Sequence, residues 1–284
     1  VFDRQFNRVL LLPSFLCLDA PLVAAGWSLA VHLDSKESPN DWIPKLLLLF
    51  SGVWAVYLSD RLYDSYRLQN AKGLTERHQF AIKSRPILWI GLVLAVGASI
   101  HQLLRIDDTP YIYGGTILAI ATITYFAVFR LLPSPWCLRI PGKEIMISVC
   151  FALGVMLTAG STEFTLLNAF LLAGLSAISL YNCLIISYGE SAFDAQHDPQ
   201  AFYATHSEHT TPSWPVWACA VCGCLLLLFG KGLITGSSLI IAGAGLFYLS
   251  RRINPEEPAS FVQAGADAIL FFPWPIVLLV ILIC

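Results

Sequence analysis

Apolar residues in this chain come in long runs, parted by short polar stretches. Runs of membrane-spanning length fall near residues 9–31, 42–59, 86–104, 111–132, 144–160, 164–188, 214–230, 233–250 and 264–284. About twenty apolar residues in helical form cross a hydrocarbon core, so the pattern predicts an all-α, polytopic membrane bundle of about nine transmembrane helices. The 144–160 run is short, and little more than Lys231 and Gly232 separates the two runs around them. Eight helices is therefore the alternative count.

The positive charges orient the spans. With the N-terminus inside, the inner segments carry Arg4, Arg8, Arg61, Arg67, Lys72, Arg77, Lys83, Arg85, Arg130, Arg139, Lys143, Arg251 and Arg252. The outer segments carry only Lys36, Lys45, Arg105 and Lys231, the rest of the 17 Lys and Arg. Lys and Arg accumulate in cytoplasmic loops, so this bias predicts nine spans with the N-terminus cytoplasmic and the C-terminus outside. It also puts the longest polar stretches, 60–85 and 189–213, on the cytoplasmic side.

Composition strengthens the membrane reading. The chain is 56% hydrophobic and 13% charged, where a soluble domain carries about a quarter charged residues. No stretch reads as a soluble domain, so residues 1–284 are expected to form a single transmembrane domain surrounded by membrane lipid. Residues 9–31 have no small-residue cleavage site and are expected to stay as a membrane helix. A net charge of -2 changes nothing, and no nucleic-acid partner is expected. Of eight cysteines only Cys137 lies in a predicted loop. Cys219, Cys222 and Cys224 have a metal-like spacing but no visible fourth ligand, and are read as small helix-packing residues.

Two acidic constellations stand out on the side assigned as cytoplasmic. Asp60 and Asp64 follow the second apolar run, beside Arg61 and Arg67. Glu190, Asp194 and Asp198 follow the sixth, at i, i+4 and i+8. If each helix continues past its apolar run, each set lies on one helix face, the second about 12 Å long. Hard cations such as Mg²⁺ commonly bridge carboxylates to substrate phosphates. Nearby Arg and Lys neutralise the remaining phosphate charge. The chemistry suggested is a diphosphate head at the membrane surface with its apolar tail in the bundle. The plain alternative is a pair of helices leaving the membrane into ordinary charged loops.

These residues resemble the UbiA-type intramembrane prenyltransferase superfamily. Its members have two Asp-rich motifs, at the ends of helices two and six. In "VYLSDRLYD", Asp60 and Asp64 match the last two acids of the first motif, and Arg61 stands in its expected place. Val56 and Tyr57 replace the motif's leading Asn-Asp pair, which removes one metal-facing carboxylate. "ESAFDAQHD" resembles the second motif, with Glu190 in place of an Asp and with Asp194 and Asp198 matching. "IPGKE" resembles the family's basic segment before helix five, and "GADAILFFP" a last-helix pattern that puts Asp267 near the start of helix nine.

The resemblance implies Mg²⁺-dependent transfer of a prenyl group from a prenyl diphosphate to an apolar or aromatic acceptor. Asp60, Asp64, Glu190, Asp194 and Asp198 would hold the metal, and all but Glu190 rank as the catalytic carboxylates. Arg61, Arg67 and Lys143 would grip the diphosphate. Tyr57, Tyr125, Tyr181 and Tyr188, with Asn182 two turns before Glu190, would line the substrate pocket. Each Tyr has an alternative as an interfacial anchor.

Asp19 lies in the first span, either capping a broken helix before Pro21 or touching an acceptor, and Asp267 carries the same ambiguity. His197, His206 and His209 fit no zinc spacing and are read as a solvated loop. The rival function is a non-catalytic UbiA-like subunit that binds a lipid or quinone beside membrane-protein partners. A transporter would call for broken helices and internal repeats, and no clear repeat is visible.

Overall fold

The computed structural model describes residues 12–35, 39–128, 140–160, 165–198, 201–206, 210–229, 232–253 and 259–283. Arg4, Arg8, Lys36, Arg130, Cys137, Arg139, His209, Lys231 and Cys284 lie outside the described residues. The elements are α1 (Leu12–Phe15), α2 (Asp19–Ser35), α3 (Pro39–Arg67), α4 (Glu76–Lys83), α5 (Arg85–Leu103), α6 (Thr109–Phe126) and α7 (Gly142–Thr158). They continue with α8 (Leu166–His197), α9 (Phe202–Thr205), α10 (Trp214–Leu228), α11 (Leu233–Ser250), α12 (Ala259–Leu270) and α13 (Pro273–Ile283). No strand occurs among the described residues.

Every predicted apolar run contains at least one helix. Five stretches are long and apolar enough to cross a membrane: Trp42–Arg67, Arg85–Leu103, Leu166–His197, Leu233–Ser250 and Ala259–Val280. Trp214–Leu228 is apolar but shorter. The sequence marks where several helices start. Asp108 caps α6 by accepting from the Tyr111 N–H at 3.0 Å, and Thr165 caps α8 by accepting from Asn168 at 3.2 Å. Pro residues occupy the first turns of α5, α6 and α10, where no backbone donor is needed. Gly160, at φ +76, turns the chain after α7 in the left-handed conformation that glycine adopts freely.

Two helices organise the bundle. α2 packs on α3, α7, α11, α12 and α13, and α8 packs on α7, α9, α10, α11 and α12. Between them sits the main core, with Trp27, Val155, Leu175, Ile178, Ile185, Leu239 and Leu246 fully buried. A smaller core of Leu58, Leu62, Ala81, Leu88 and Ala95 joins α3, α4 and α5. Outward-facing Val93, Leu94, Ile117, Ile120 and Ile123 give α5 and α6 apolar exposed faces, as expected of surfaces solvated by lipid. α10 and α11 approach so closely at Gly223 and Gly236 that a Cβ on either would meet the other's carbonyl oxygen within 2.8 Å.

Two of the predicted spans are broken. The first divides into α1 and α2 around Cys17, whose φ of 56° is rare outside glycine. Asp19 stands at this break, and its Oδ1 accepts from the N–H of its neighbour Ala20 at 2.9 Å. The last run, expected as one helix over 264–284, starts at Ala259 and breaks at Phe271 and Phe272 before Pro273. Pro273 has no N–H to extend the ladder, so the break falls where proline dictates. Indoles cross-brace the breaks: Trp27 Nε1 donates to the Leu270 carbonyl at 3.1 Å, and Trp274 Nε1 to the Leu22 carbonyl at 2.9 Å.

Polar contacts define the two ends of the bundle. At one end Arg77 pairs with Glu190, His197 Nε2 lies 3.0 Å from the Lys72 carbonyl, and Phe15 stacks on Phe80. At the other end Lys45 pairs with Asp108 at 2.6 Å. There Asp34 also accepts from the first N–H groups of α11, Ile234 at 3.0 Å and Thr235 at 2.8 Å. The loop after α3 and the C-terminal end of α8 thus share one end.

Candidate functional site

Both helices that carry acidic constellations continue past their apolar runs. α3 reaches Arg67 rather than residue 59, and α8 reaches His197 rather than residue 188. Asp64 and Arg67, three apart, lie 3.6 Å from each other and support the last turn of α3. Asp60 and Asp64 therefore share a helix face, as do Glu190 and Asp194, with Asp198 as the C-cap residue of α8.

Arg61 is the centre of the arrangement. It is 9% exposed and lies among Asp60, Asp64, Glu190 and the Cys17 thiol. Three acids from two helices thus lie within electrostatic reach of one guanidinium. Tyr57, Arg61 and Asp64 fall at helical spacing on α3, Leu68 follows just past its end, and the last three are buried. Arg61 and Asp64 point into the bundle, while Tyr57, Tyr63 and Tyr66 are exposed.

The short helix α4 closes this end. Arg77 is bonded to Glu190 at 2.7 Å and donates to Gln263 on α12. Thr75 Oγ1 lies 2.7 Å from His78 Nδ1, and the His78 ring stacks on Phe193 with centroids 4.8 Å apart. Burial, followed by the neighbouring Arg77 and Arg61 charges, lowers the His78 pKa to about 2, so it packs as a neutral ring. Arg77 was visible in the sequence only as a loop charge, and its one local signal is the amphipathic stretch "ERHQFAIK" after Thr75.

Lys143, in the first turn of α7, reaches the same end, among whose groups Asp194 lies near Glu190, Lys143, Asp198 and Arg77. The structure thus gathers Asp60, Arg61, Asp64, Lys143, Glu190, Asp194 and Asp198 in one region, with Arg67 at its rim. It adds Arg77, Gln263 and Cys17, which the sequence reading did not assign to it.

A second polar tier lies deeper, one to two helical turns inside. Asn182 Nδ2 donates to Asp267 Oδ1 at 3.2 Å, and Asp19 lies near Asp267. Tyr57 borders the same place, near Asp19, Cys183, Asp267 and Tyr125. The remaining expected aromatics stand apart. The Tyr181 hydroxyl lies 2.8 Å from Ser250 Oγ and ties α8 to α11. Tyr188 packs edge-on against Tyr203 at 5.5 Å. His197 and His206 pack on Phe193 and Phe202 at 4.6 Å each, so neither is part of a simply solvated loop.

Glu190 is held by Arg77 and Asp64 leans toward Arg67. Among the described residues no group of three or more His, Cys, Asp or Glu side chains is arranged to hold a metal ion. Arg77 already engages Glu190, one of the carboxylates expected to face Mg²⁺. The end of the bundle holds a set of cations and acids, with Arg61 and Asp64 buried and the others partly buried, able to exchange internal ion pairs for an anionic ligand. No known protein family, curated protein or solved structure matches the chain.

Proposed function

We propose that this chain is a nine-span, UbiA-like membrane protein that takes a prenyl diphosphate at its acidic end, on the cytoplasmic side. Its reaction is transfer of the prenyl group to an apolar or aromatic acceptor. The observation that carries this reading is Arg61, within electrostatic reach of acids of α3 and α8 that also lie near Arg77 and Lys143. Arg61, Arg77 and Lys143 compensate a diphosphate head. Tyr57 and Tyr125 lie deeper, where the first isoprene carbons follow. In transfer, the C–O bond to diphosphate breaks, the diphosphate leaves with the electron pair, and the allylic cation bonds to the acceptor, which loses a proton. These cations stabilise charge developing on the leaving group. The aromatic rings face the carbocation.

A second reading is a non-catalytic lipid- or quinone-binding subunit of a membrane assembly. The Arg77–Glu190 pair favours it, because that pair occupies a carboxylate the metal would need.

Binding of geranylgeranyl diphosphate to purified protein, with and without Mg²⁺, separates the two. The transferase reading expects Mg²⁺-dependent binding that weakens at least about tenfold in Asp64→Asn and in Asp194→Asn, or about 1.4 kcal/mol each. Absence of binding by the unaltered protein would replace it with the second reading.

A further inference from the structure

The end of α3 and the start of α5 meet at a corner organised by one guanidinium. Arg85, the first residue of α5, donates from Nε to Ser65 Oγ at 3.2 Å. Its Nη2 donates to the Ser65 carbonyl, and to Gln69 Oε1 at 3.2 Å. The guanidinium also lies over the Tyr66 ring, 4.4 Å from the centroid. Trp89, one turn into α5, donates from Nε1 to the Tyr66 hydroxyl at 3.2 Å. Arginine and ring are thus fixed in place, and two donors stay unused. Nη1 of Arg85 makes no hydrogen bond among the described residues, and the Tyr66 hydroxyl, accepting from Trp89, keeps its own O–H to give.

This corner is open to its surroundings. Tyr66 is 54% exposed and Trp89 46%. Further along α5, Ile90, Val93 and Leu94 form a well-exposed apolar stripe. Residues 65–90 carry five cations, Arg67, Lys72, Arg77, Lys83 and Arg85, against one acid, Glu76. Arg77 is engaged by Glu190 and Arg67 by Asp64, so Lys72, Lys83 and Arg85 outnumber the one remaining acid. Lys83 stands two residues before Arg85 and is exposed. Exposed Tyr and Trp with positive charge, at the end of an apolar stripe, belong at the level of lipid head groups.

We infer that this corner binds the phosphate of an anionic phospholipid, with Arg85 Nη1 and the Tyr66 hydroxyl donating to its oxygens and the acyl chains lying along the α5 stripe. A guanidinium already fixed by Ser65, Gln69 and Tyr66 loses little freedom when it takes a phosphate. Lys72 and Lys83 favour a head group of net negative charge over a zwitterionic one, whose ammonium they repel. A soluble phosphate ester fits less well, because it leaves the apolar stripe unused. Neither Arg85 nor Tyr66 belongs to the candidate site around Arg61, so the inference holds or fails apart from the prenyl diphosphate reading.

The test titrates the full chain in dodecylmaltoside micelles with dioctanoyl phosphatidylglycerol and with dioctanoyl phosphatidylcholine. The expected result is at least about tenfold tighter binding of phosphatidylglycerol. Arg85→Gln and Tyr66→Phe should each reduce that preference at least about threefold. Arg252→Gln, which removes another arginine lying on an exposed tyrosine, should leave it within about twofold. Equal binding of the two lipids overturns the inference. So does a preference that either corner variant leaves intact, or that Arg252→Gln reduces as much. Loss of the preference in inorganic phosphate, but not in NaCl of equal ionic strength, overturns it too, because it assigns the corner to a soluble anion. If Arg85→Gln does not fold, Tyr66→Phe decides alone, since it keeps the ring under the guanidinium.

Discussion

The Trp27 indole donates to the backbone carbonyl of Leu270, 243 residues further along the chain. That carbonyl ends α12, where Pro273 prevents the helix from continuing. In an apolar surrounding an unsatisfied carbonyl is costly, so the indole fills a place that water fills in soluble proteins. Trp274 donates to the Leu22 carbonyl near the start of α2, adding a second bond to a carbonyl already inside the helix. Trp27→Phe and Trp274→Phe are each expected to lower stability by about 1 kcal/mol, the usual size of a hydrogen bond inside a membrane protein. Reversible unfolding in micelles measures it, and no change in either variant would remove the bracing role.

Gly26 is the contact point of the second brace. A Cβ there would lie 2.6 Å from Trp274 Nε1, closer than packed atoms allow. Gly26→Val should therefore destabilise more than Trp274→Phe, by about 2–3 kcal/mol through overpacking. A melting temperature unchanged by Gly26→Val would contradict that geometry.

Arg77 and Glu190 form a largely enclosed pair, with side chains 14% and 12% exposed. Removing one partner leaves an uncompensated buried charge. Arg77→Ala is expected to cost about 3 kcal/mol, and Arg77→Ala with Glu190→Gln distinctly less, because the stranded charge is gone. A double-mutant cycle on unfolding free energy reads the coupling. Additivity within about 0.5 kcal/mol would mean that the pair is not coupled.

His78 sets a pH dependence. Its pKa falls from 6.5 unfolded to about 2 folded, through burial and then Arg77, Arg61 and Arg67. Above pH 6.5 both states are neutral and no proton is exchanged. As pH drops below 6.5 the unfolded state takes up a proton that the folded state refuses. Stability then falls, by about 2 kcal/mol at pH 5 and further down to the folded pKa. Unfolding of the unaltered protein and of His78→Gln at pH 7.5 and pH 5 should differ by that amount. Parallel losses in the two proteins would assign the pH dependence to other groups.

At the far end, Asp108 has two jobs: it pairs with Lys45 and caps α6. Lys45 and the Tyr111 N–H hold its carboxyl below the usual range. This contribution is present at neutral pH and lost as pH falls through the lowered pKa. Asp108→Asn keeps the cap and loses a partly exposed ion pair, for a cost of under about 1 kcal/mol. Asp108→Ala loses the cap as well and should cost about 1 kcal/mol more. Equal effects of the two would show that the cap contributes nothing.

The legible parts of this molecule were local. Carboxylates four apart on α3 and α8 read directly as one face, because helix periodicity depends on near neighbours alone. The first break was legible too, since Asp19 two residues before Pro21 is a local signal. The second was not anticipated, although Pro273 stands in plain view: the apolar run continues through it. Arg77 and Glu190 lie 113 residues apart and meet only through packing of α4 on the bundle. Nothing near Tyr181 in sequence foretold that its hydroxyl would be used by Ser250. Asn182 and Asp267 were each singled out, but their contact belongs to the tertiary fold.

The crossed indoles also order events during synthesis. α2 leaves the ribosome more than two hundred residues before Trp274, and until then the Leu22 carbonyl has no indole to bond. Asp34 likewise waits for the first turn of α11, 200 residues later. Until the last helices arrive, α2 therefore lacks the indole and helix-end contacts that fix it in the bundle. Chains stalled before residue 274 should be early substrates of membrane quality control.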